Sequence, residues 1–205
     1  MSDLTDKEQV EMIKKWWREY GLVITVAVVI GLAVGFGWRY WHRHKVMKAE
    51  EASIIYTEMQ NAAAQNKFDD AQALASRLMT HYRNTPYAGM SALLWARDAV
   101  LQNKLNVALE KLQWTIKNGK MASVKQIARV RAARILLAEK QYQPALTLLK
   151  TVDDPTYQPL INSVKGDIYR ARGNNKLAKQ AYQAAKNGFE TSGIVDPFLN
   201  MKVSQ

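Results

Sequence analysis

The chain contains no cysteine among its 205 residues. Disulfides, thiolate metal sites and cysteine nucleophiles are therefore excluded, although the absence does not distinguish a reducing from an oxidising compartment. Glycine (10) and proline (5) are scarce, which argues against disorder and against a loop-rich all-β chain. Histidine occurs only as His42, His44 and His81, and HExxH, GxSxG and phosphate-cradling glycine loops are missing. The pair His42 and His44 stands in a basic stretch that repels cations, so interfacial anchoring is its expected role. No enzymatic activity, cofactor or metal is expected. Basic residues interleaved with aromatics, as nucleic-acid binding requires, are not seen either, so no nucleic-acid partner is expected.

Acidic charge is also in deficit, with 18 Asp and Glu against 29 Lys and Arg, a net charge of +11. Residues 1–20 carry five acidic and four basic side chains, so the excess lies further along. Arg39, Arg43, Lys45 and Lys48 supply part of it, and the rest is spread along the remaining chain. A spread of this kind describes a solvated surface, with an acidic partner or anionic lipid as the alternatives.

One segment lacks charge altogether. Gly21 to Trp38 reads GLVITVAVVIGLAVGFGW, eighteen residues without an ionisable acid or base. As a helix it reaches roughly 27 Å, and Arg39-Tyr40-Trp41 extends it to the ~30 Å hydrocarbon core of a bilayer. Trp16, Trp17 and Tyr20 precede it, and Trp38, Tyr40 and Trp41 follow it. Such paired girdles suit the lipid–water interface, where one edge of a ring is wet and the other apolar. A cleaved signal peptide would show a basic start, a shorter apolar run and a small-x-small site. The twenty-residue tail with acidic residues in it, the longer apolar run and the bulky Gly37-Trp38-Arg39-Tyr40-Trp41 exit predict an uncleaved anchor instead. Four basic residues flank each end, so positive charge leaves the orientation open.

Smaller signals surround the span. Gly31 and Gly35 form a GxxxG pair, a candidate close-approach face, although small residues are common in spanning helices. Thr5-Asp6-Lys7-Glu8 has the form of a capping box that starts a helix near Asp6. Val10, Ile13, Trp17 and Tyr20 then share one face, which predicts an amphipathic tail lying along the membrane.

From about Lys48 onward, strand-like alternation is absent, and Ala, Leu, Lys and Gln predominate with apolar positions recurring at three and four. Short polar breaks fall at Gln65-Asn66-Lys67, Gln102-Asn103-Lys104, Glu139-Lys140-Gln141 and Gly173-Asn174-Asn175. Alignment on the alanine after each break gives Ala71, Ala108, Ala145 and Ala178, at separations of 37, 37 and 33 residues. These lie close to the 34-residue tetratricopeptide period. Twelve positions earlier stand Met59, Ala96, Ala133 and Gly166, and four positions later Ala75, Leu112, Leu149 and Tyr182. Small residues let paired helices approach, and larger ones fill the space between pairs. An irregular helical bundle is the plainer alternative, but four breaks in phase favour helical-hairpin repeats. The expected architecture is all-α, with a tail at 1–20, a transmembrane helix at 21–41 and a tetratricopeptide-like repeat domain at 42–205.

A stack of hairpins curves and offers an inner groove to peptides or proteins. Groove-facing candidates on the first helix of each pair are Tyr56 and Gln60, Leu93 and Arg97, Val130 and Arg134, and Asp167 and Arg170. Arg97 and Arg134 occupy equivalent repeat positions and could present two guanidinium groups to a carboxylate. Taken singly, each reads more simply as a solvated arginine on an exposed face.

The exit motif Gly37-Trp38-Arg39-Tyr40-Trp41, Arg83-Asn84-Thr85, the Ala-rich helices and Lys165-Gly166-Asp167 together resemble the YfgM-like ancillary subunit family of the SecYEG translocon. The resemblance covers nearly the whole chain. It implies a bacterial inner-membrane protein with a cytoplasmic N-terminus and periplasmic repeats. It also implies association with SecYEG and with a PpiD-like membrane-anchored periplasmic chaperone, assisting exported polypeptides as they leave the channel. No catalytic residue is carried over. A scaffold for envelope assembly and a cytoplasmic-facing regulator are the alternative functions.

Overall fold

In the computed structural model, residues 6–193 and 197–204 are described. All regular structure among them is helical. The chain divides into two compact units, Met1–Met47 and Lys48–Gln205.

Helix α1 (Asp6–Ala64) runs without a break through the expected boundaries at 20/21 and 41/42. Its described part starts at Asp6, and the proposed capping box lies partly outside the described residues. The charge-free stretch gives it an 18-residue window of mean hydropathy 2.3, long and apolar enough to cross a membrane. Within the first unit, Leu22, Val34 and Phe36 are all exposed, and a Cβ at Gly31, Gly35 or Gly37 would meet nothing. Trp16 packs on Tyr20 and Trp38 on Trp41, each pair with ring centroids 6.0 Å apart.

The second unit comprises the end of α1 followed by α2 (Phe68–His81), α3 (Pro86–Leu101), α4 (Leu105–Asn118), α5 (Ala122–Ala138), α6 (Tyr142–Leu148), α7 (Gln158–Ala171), α8 (Asn175–Thr191) and α9 (Pro197–Ser204). These pair as successive hairpins, and the aligned alanines explain why. Ala71, Ala108, Ala145 and Ala178 are all buried, as are Met59, Ala96, Ala133 and Gly166. Gly166 shows the limit of this packing: an added Cβ would lie 2.5 Å from Tyr182 Cδ1. The core is consequently segmented. Ala52 to Tyr82 form one cluster, Leu93 to Ile135 a second, Val130 to Ile168 a third, and Ala178 to Leu199 a fourth. Each hairpin thus packs on its neighbours, as a solenoid requires.

The turns inside the hairpins share one mechanism. Asn66, Asn103, Lys140 and Gly173 all adopt positive φ, at 58°, 57°, 60° and 77°. After each, the next residue's N–H donates back into the preceding helix: Lys67 to Ala62 O, Lys104 to Ala99 O, Gln141 to Leu136 O and Asn174 to Tyr169 O, at 2.8 to 2.9 Å. This is the Schellman arrangement, which satisfies otherwise orphaned helix-end carbonyls. Pro86 opens α3, and Pro155 opens a short 3-10 turn, both between hairpins, where a missing donor is harmless.

Candidate functional site

The first helices of adjacent hairpins bring three arginines together. Arg97 comes from α3, and Arg131 and Arg134 come from α5, three residues apart and so on one face. All three rim a cavity of about 250 Å³, whose walls are Ala96, Val100, Leu101, Leu112 and Ile135. Burial holds the Arg131 guanidinium below its ordinary pKa, and the positive charges of Arg97 and Arg134 press the same way. Its Nη1 reaches Leu93 O at a long 3.4 Å.

Among the described residues, Arg97 of the three pairs with a carboxylate. Arg97 donates from Nη2 to Asp98 Oδ1 at 2.8 Å and from Nε at 3.0 Å. Asp98 is buried, and its Oδ2 has no hydrogen-bond partner among the described residues. Three guanidinium groups therefore border an apolar hollow, and one of them, Arg97, already holds Asp98. Such an arrangement can hold a bidentate anion that carries an apolar neighbour.

The sequence-derived groove residues divide three ways. Arg97 and Arg134 do meet at this cavity. Tyr56 stands close enough to Arg97 to feel its charge, which lowers the phenol pKa against a larger upward effect of burial. Its ring packs on Tyr87 with centroids 5.6 Å apart, and Gln60 is exposed one turn further along α1. Leu93 and Val130, by contrast, are 8% and 2% exposed and belong to hydrophobic clusters. They are packing residues, because α3 and α5 are covered on that side by neighbouring helices. Asp167 is engaged by the chain itself, accepting from Tyr182 Oη at 2.8 Å and Lys202 Nζ at 2.6 Å. Arg170 is exposed and lies 5.9 Å from the Tyr182 ring centroid. Tyr182 is held well above its ordinary pKa, first by burial and then by its bond to Asp167. Asp167 thus ties α8 and α9 to α7 through its Oδ1.

Arg131 and Asp98 were not anticipated. Recurrence between repeats selected Arg97 and Arg134, but the repeat equivalent of Arg131 is Leu94, which carries no charge. Its three-residue spacing from Arg134 was the available signal. A second polar cluster, on another part of α5, is structural. Asp153 receives Arg129 Nε at 2.5 Å and approaches Lys125 at 3.6 Å, and its N–H donates to Gln126 Oε1 at 2.8 Å. These bonds tie the loop after α6 to α5. Among the described residues, no group of three or more His, Asp or Glu could hold a metal.

Residues 14–205 match the family described as tetratricopeptide repeat-like domain. The chain belongs to that family. It is 27% identical over 199 residues to the ancillary SecYEG translocon subunit of Escherichia coli (strain K12), covering 97% of this chain and 95% of that protein. The subunit of the same name from Aggregatibacter actinomycetemcomitans is 29% identical over 199 residues, covering 96% and 94%. That of Neisseria gonorrhoeae is 23% identical over 202 residues, covering 98% and 96%. The resemblance to ancillary translocon subunits that the membrane exit and repeats suggested is thus shown at nearly full length. No solved structure matches the chain.

Proposed function

We propose that this protein is a membrane-anchored adaptor of the Sec translocon, which holds exported polypeptides with its repeats as they leave the channel. The observation that carries the reading is the full-length likeness to ancillary SecYEG translocon subunits, in a chain that joins one apolar helix to a repeat stack. The protein is a single-pass component of the inner membrane, a reading that the apolar helix supports. The repeats lie in the periplasm and the N-terminus in the cytoplasm. Residues 1–20 form the tail, 21–41 the span and 42–205 the repeat domain. A PpiD-like membrane-anchored chaperone works beside it, and the activity is binding rather than catalysis.

Photo-crosslinking in intact membranes tests the adaptor reading. A photoreactive residue placed at exposed Gln60 is expected to capture SecY, the chaperone or an arrested export intermediate. Crosslinks to none of these in cells actively exporting protein would remove it. Protease treatment of intact spheroplasts tests orientation: the repeats should be digested, and a protected repeat domain would reverse the topology.

A further inference from the structure

We propose that the cavity rimmed by Arg97, Arg131 and Arg134 binds one Asp or Glu side chain of an extended polypeptide, together with the large apolar side chain next to it. Three observations on this one site lead there. The first is charge. Among the described residues Arg97 pairs with Asp98, whereas neither Arg131 nor Arg134 forms an ion pair. A further carboxylate restores the balance, and a fork of guanidinium donors matches its two oxygens.

The second observation is apolar surface beside that charge. Leu101 is 69% exposed, the most exposed large apolar side chain among the described residues of the repeat unit, and its neighbour Val100 is exposed as well. Both line the cavity. An aliphatic or aromatic side chain placed there removes apolar area from water at both partners.

The third is size. The cavity is about 250 Å³, below the ~300–1,000 Å³ of sites that enclose a small-molecule ligand. It accommodates a side chain or two of a longer chain. The choice of an internal acidic residue over a chain terminus rests on the adaptor reading, because a polypeptide leaving a channel exposes internal segments before its C-terminus.

The test uses the full chain in nanodiscs of zwitterionic phosphatidylcholine and fluorescent peptides with acetylated and amidated ends. One peptide carries a single Glu-Leu pair in a Gly/Ser background, a second carries Gln-Leu, and a third carries Glu-Ala. Fluorescence anisotropy should show Glu-Leu binding about 10- to 100-fold more tightly than Gln-Leu, as hydrogen bonds to charged groups imply. Glu-Ala should fall between them. Arg134→Gln, at an exposed position, should erase the preference for Glu over Gln, and Arg131→Gln should do the same. Lys179→Gln, on exposed α8 surface, should preserve it. Circular dichroism checks that each variant keeps its helical content, and Arg134→Gln decides the matter if Arg131→Gln does not fold.

Equal binding of the Glu and Gln peptides overturns the proposal, and so does an undiminished preference in Arg134→Gln. A Gln-Leu peptide with a free C-terminal carboxylate that outbinds amidated Glu-Leu overturns the internal-residue assignment. Retention by phosphatidylglycerol vesicles that depends on Arg134, without peptide discrimination, reassigns the site to lipid and overturns it too. The measurement contains no translocon. Failure of the membrane crosslinks therefore leaves its result intact, and a lack of peptide discrimination leaves the crosslinks intact.

Discussion

Leu22 and Leu78 are the same side chain on helices of the same protein, yet one is 78% exposed and the other is fully buried. The difference runs through both units. Along residues 21–41 most large apolar side chains are exposed, whereas the repeat unit encloses most of its own in four clusters. Soluble proteins seldom leave apolar patches of more than a few hundred Å² in water. The contrast therefore identifies two solvents. Lipid satisfies the first unit and requires no packing from it, so its sequence can be uniformly apolar with idle glycines. Water forces the second unit to pair every apolar stripe with another, and small residues at fixed intervals are the consequence.

The most damaging way to probe this contrast is to truncate both leucines. Leu78→Ala should lower the stability of the repeat unit by about 2–5 kcal/mol, because a buried leucine leaves a cavity as well as lost transfer energy. Leu22→Ala should leave the unfolding transition where it was. Denaturant unfolding of the full chain in detergent, followed by circular dichroism, measures both. Equal shifts would mean that the first unit is packed like a protein core.

Charge insertion sharpens the same comparison from the other side. Leu32 and Ile54 are 55% and 63% exposed, so exposure alone predicts similar tolerance. Arginine at the centre of a spanning helix opposes insertion by about 2.5–3.5 kcal/mol, whereas a surface substitution in water stays within about 0.5 kcal/mol. Leu32→Arg should accordingly raise the fraction released by alkaline carbonate extraction, and Ile54→Arg should not. Identical extraction of the two variants would remove the lipid explanation.

Within the repeat unit, Gly166 is an aligned small position with no room for a Cβ. Gly166→Ala forces a methyl group against the Tyr182 ring and should destabilise by about 1–3 kcal/mol, the usual range for overpacking. The ring has little room to retreat, since its hydroxyl donates to Asp167 and Lys202 bonds that same carboxylate. A Tyr182→Phe background tests that explanation. Freed from its hydrogen bond, the ring should yield more easily, and the penalty of Gly166→Ala should shrink.

How legible these features were depends on whether the physics repeats. The hairpins could be read because close helix approach demands Ala or Gly at the same place each time, and Ala71, Ala108, Ala145 and Ala178 recorded it. The span could be read because lipid excludes charge over a whole window. The groove was only half readable. Leu93 and Val130 look like surface residues one turn from an arginine, but the neighbouring hairpin covers that side, a fact of tertiary stacking that no single helix reports. Arg131 has no charged repeat equivalent and joins the site through the crossing of α3 and α5. Asp167 resembled a groove residue because nothing in the repeat pattern indicates that Lys202, beyond the last hairpin, returns to it.

The hairpin turns offer the smallest effect and the cleanest sign. Asn66, Asn103 and Gly173 are residues that tolerate positive φ, whereas Lys140 holds φ 60° with a full side chain. A left-handed conformation is unfavourable for an L-residue by roughly 1–2 kcal/mol, and glycine removes that penalty while adding about 0.5–1 kcal/mol of backbone entropy to the unfolded chain. The penalty exceeds the entropy, so Lys140→Gly should stabilise the repeat unit by up to about 1 kcal/mol. The reciprocal change, Gly173→Ala, imposes the penalty at φ 77° and should destabilise by about 1 kcal/mol or somewhat more. For a unit of this size, either change shifts the melting temperature by about 2–4 °C per kcal/mol. Thermal unfolding of both variants beside the parent chain gives the comparison. A lower melting temperature for Lys140→Gly would show that the Lys140 side chain contributes more to the turn than its backbone strain removes.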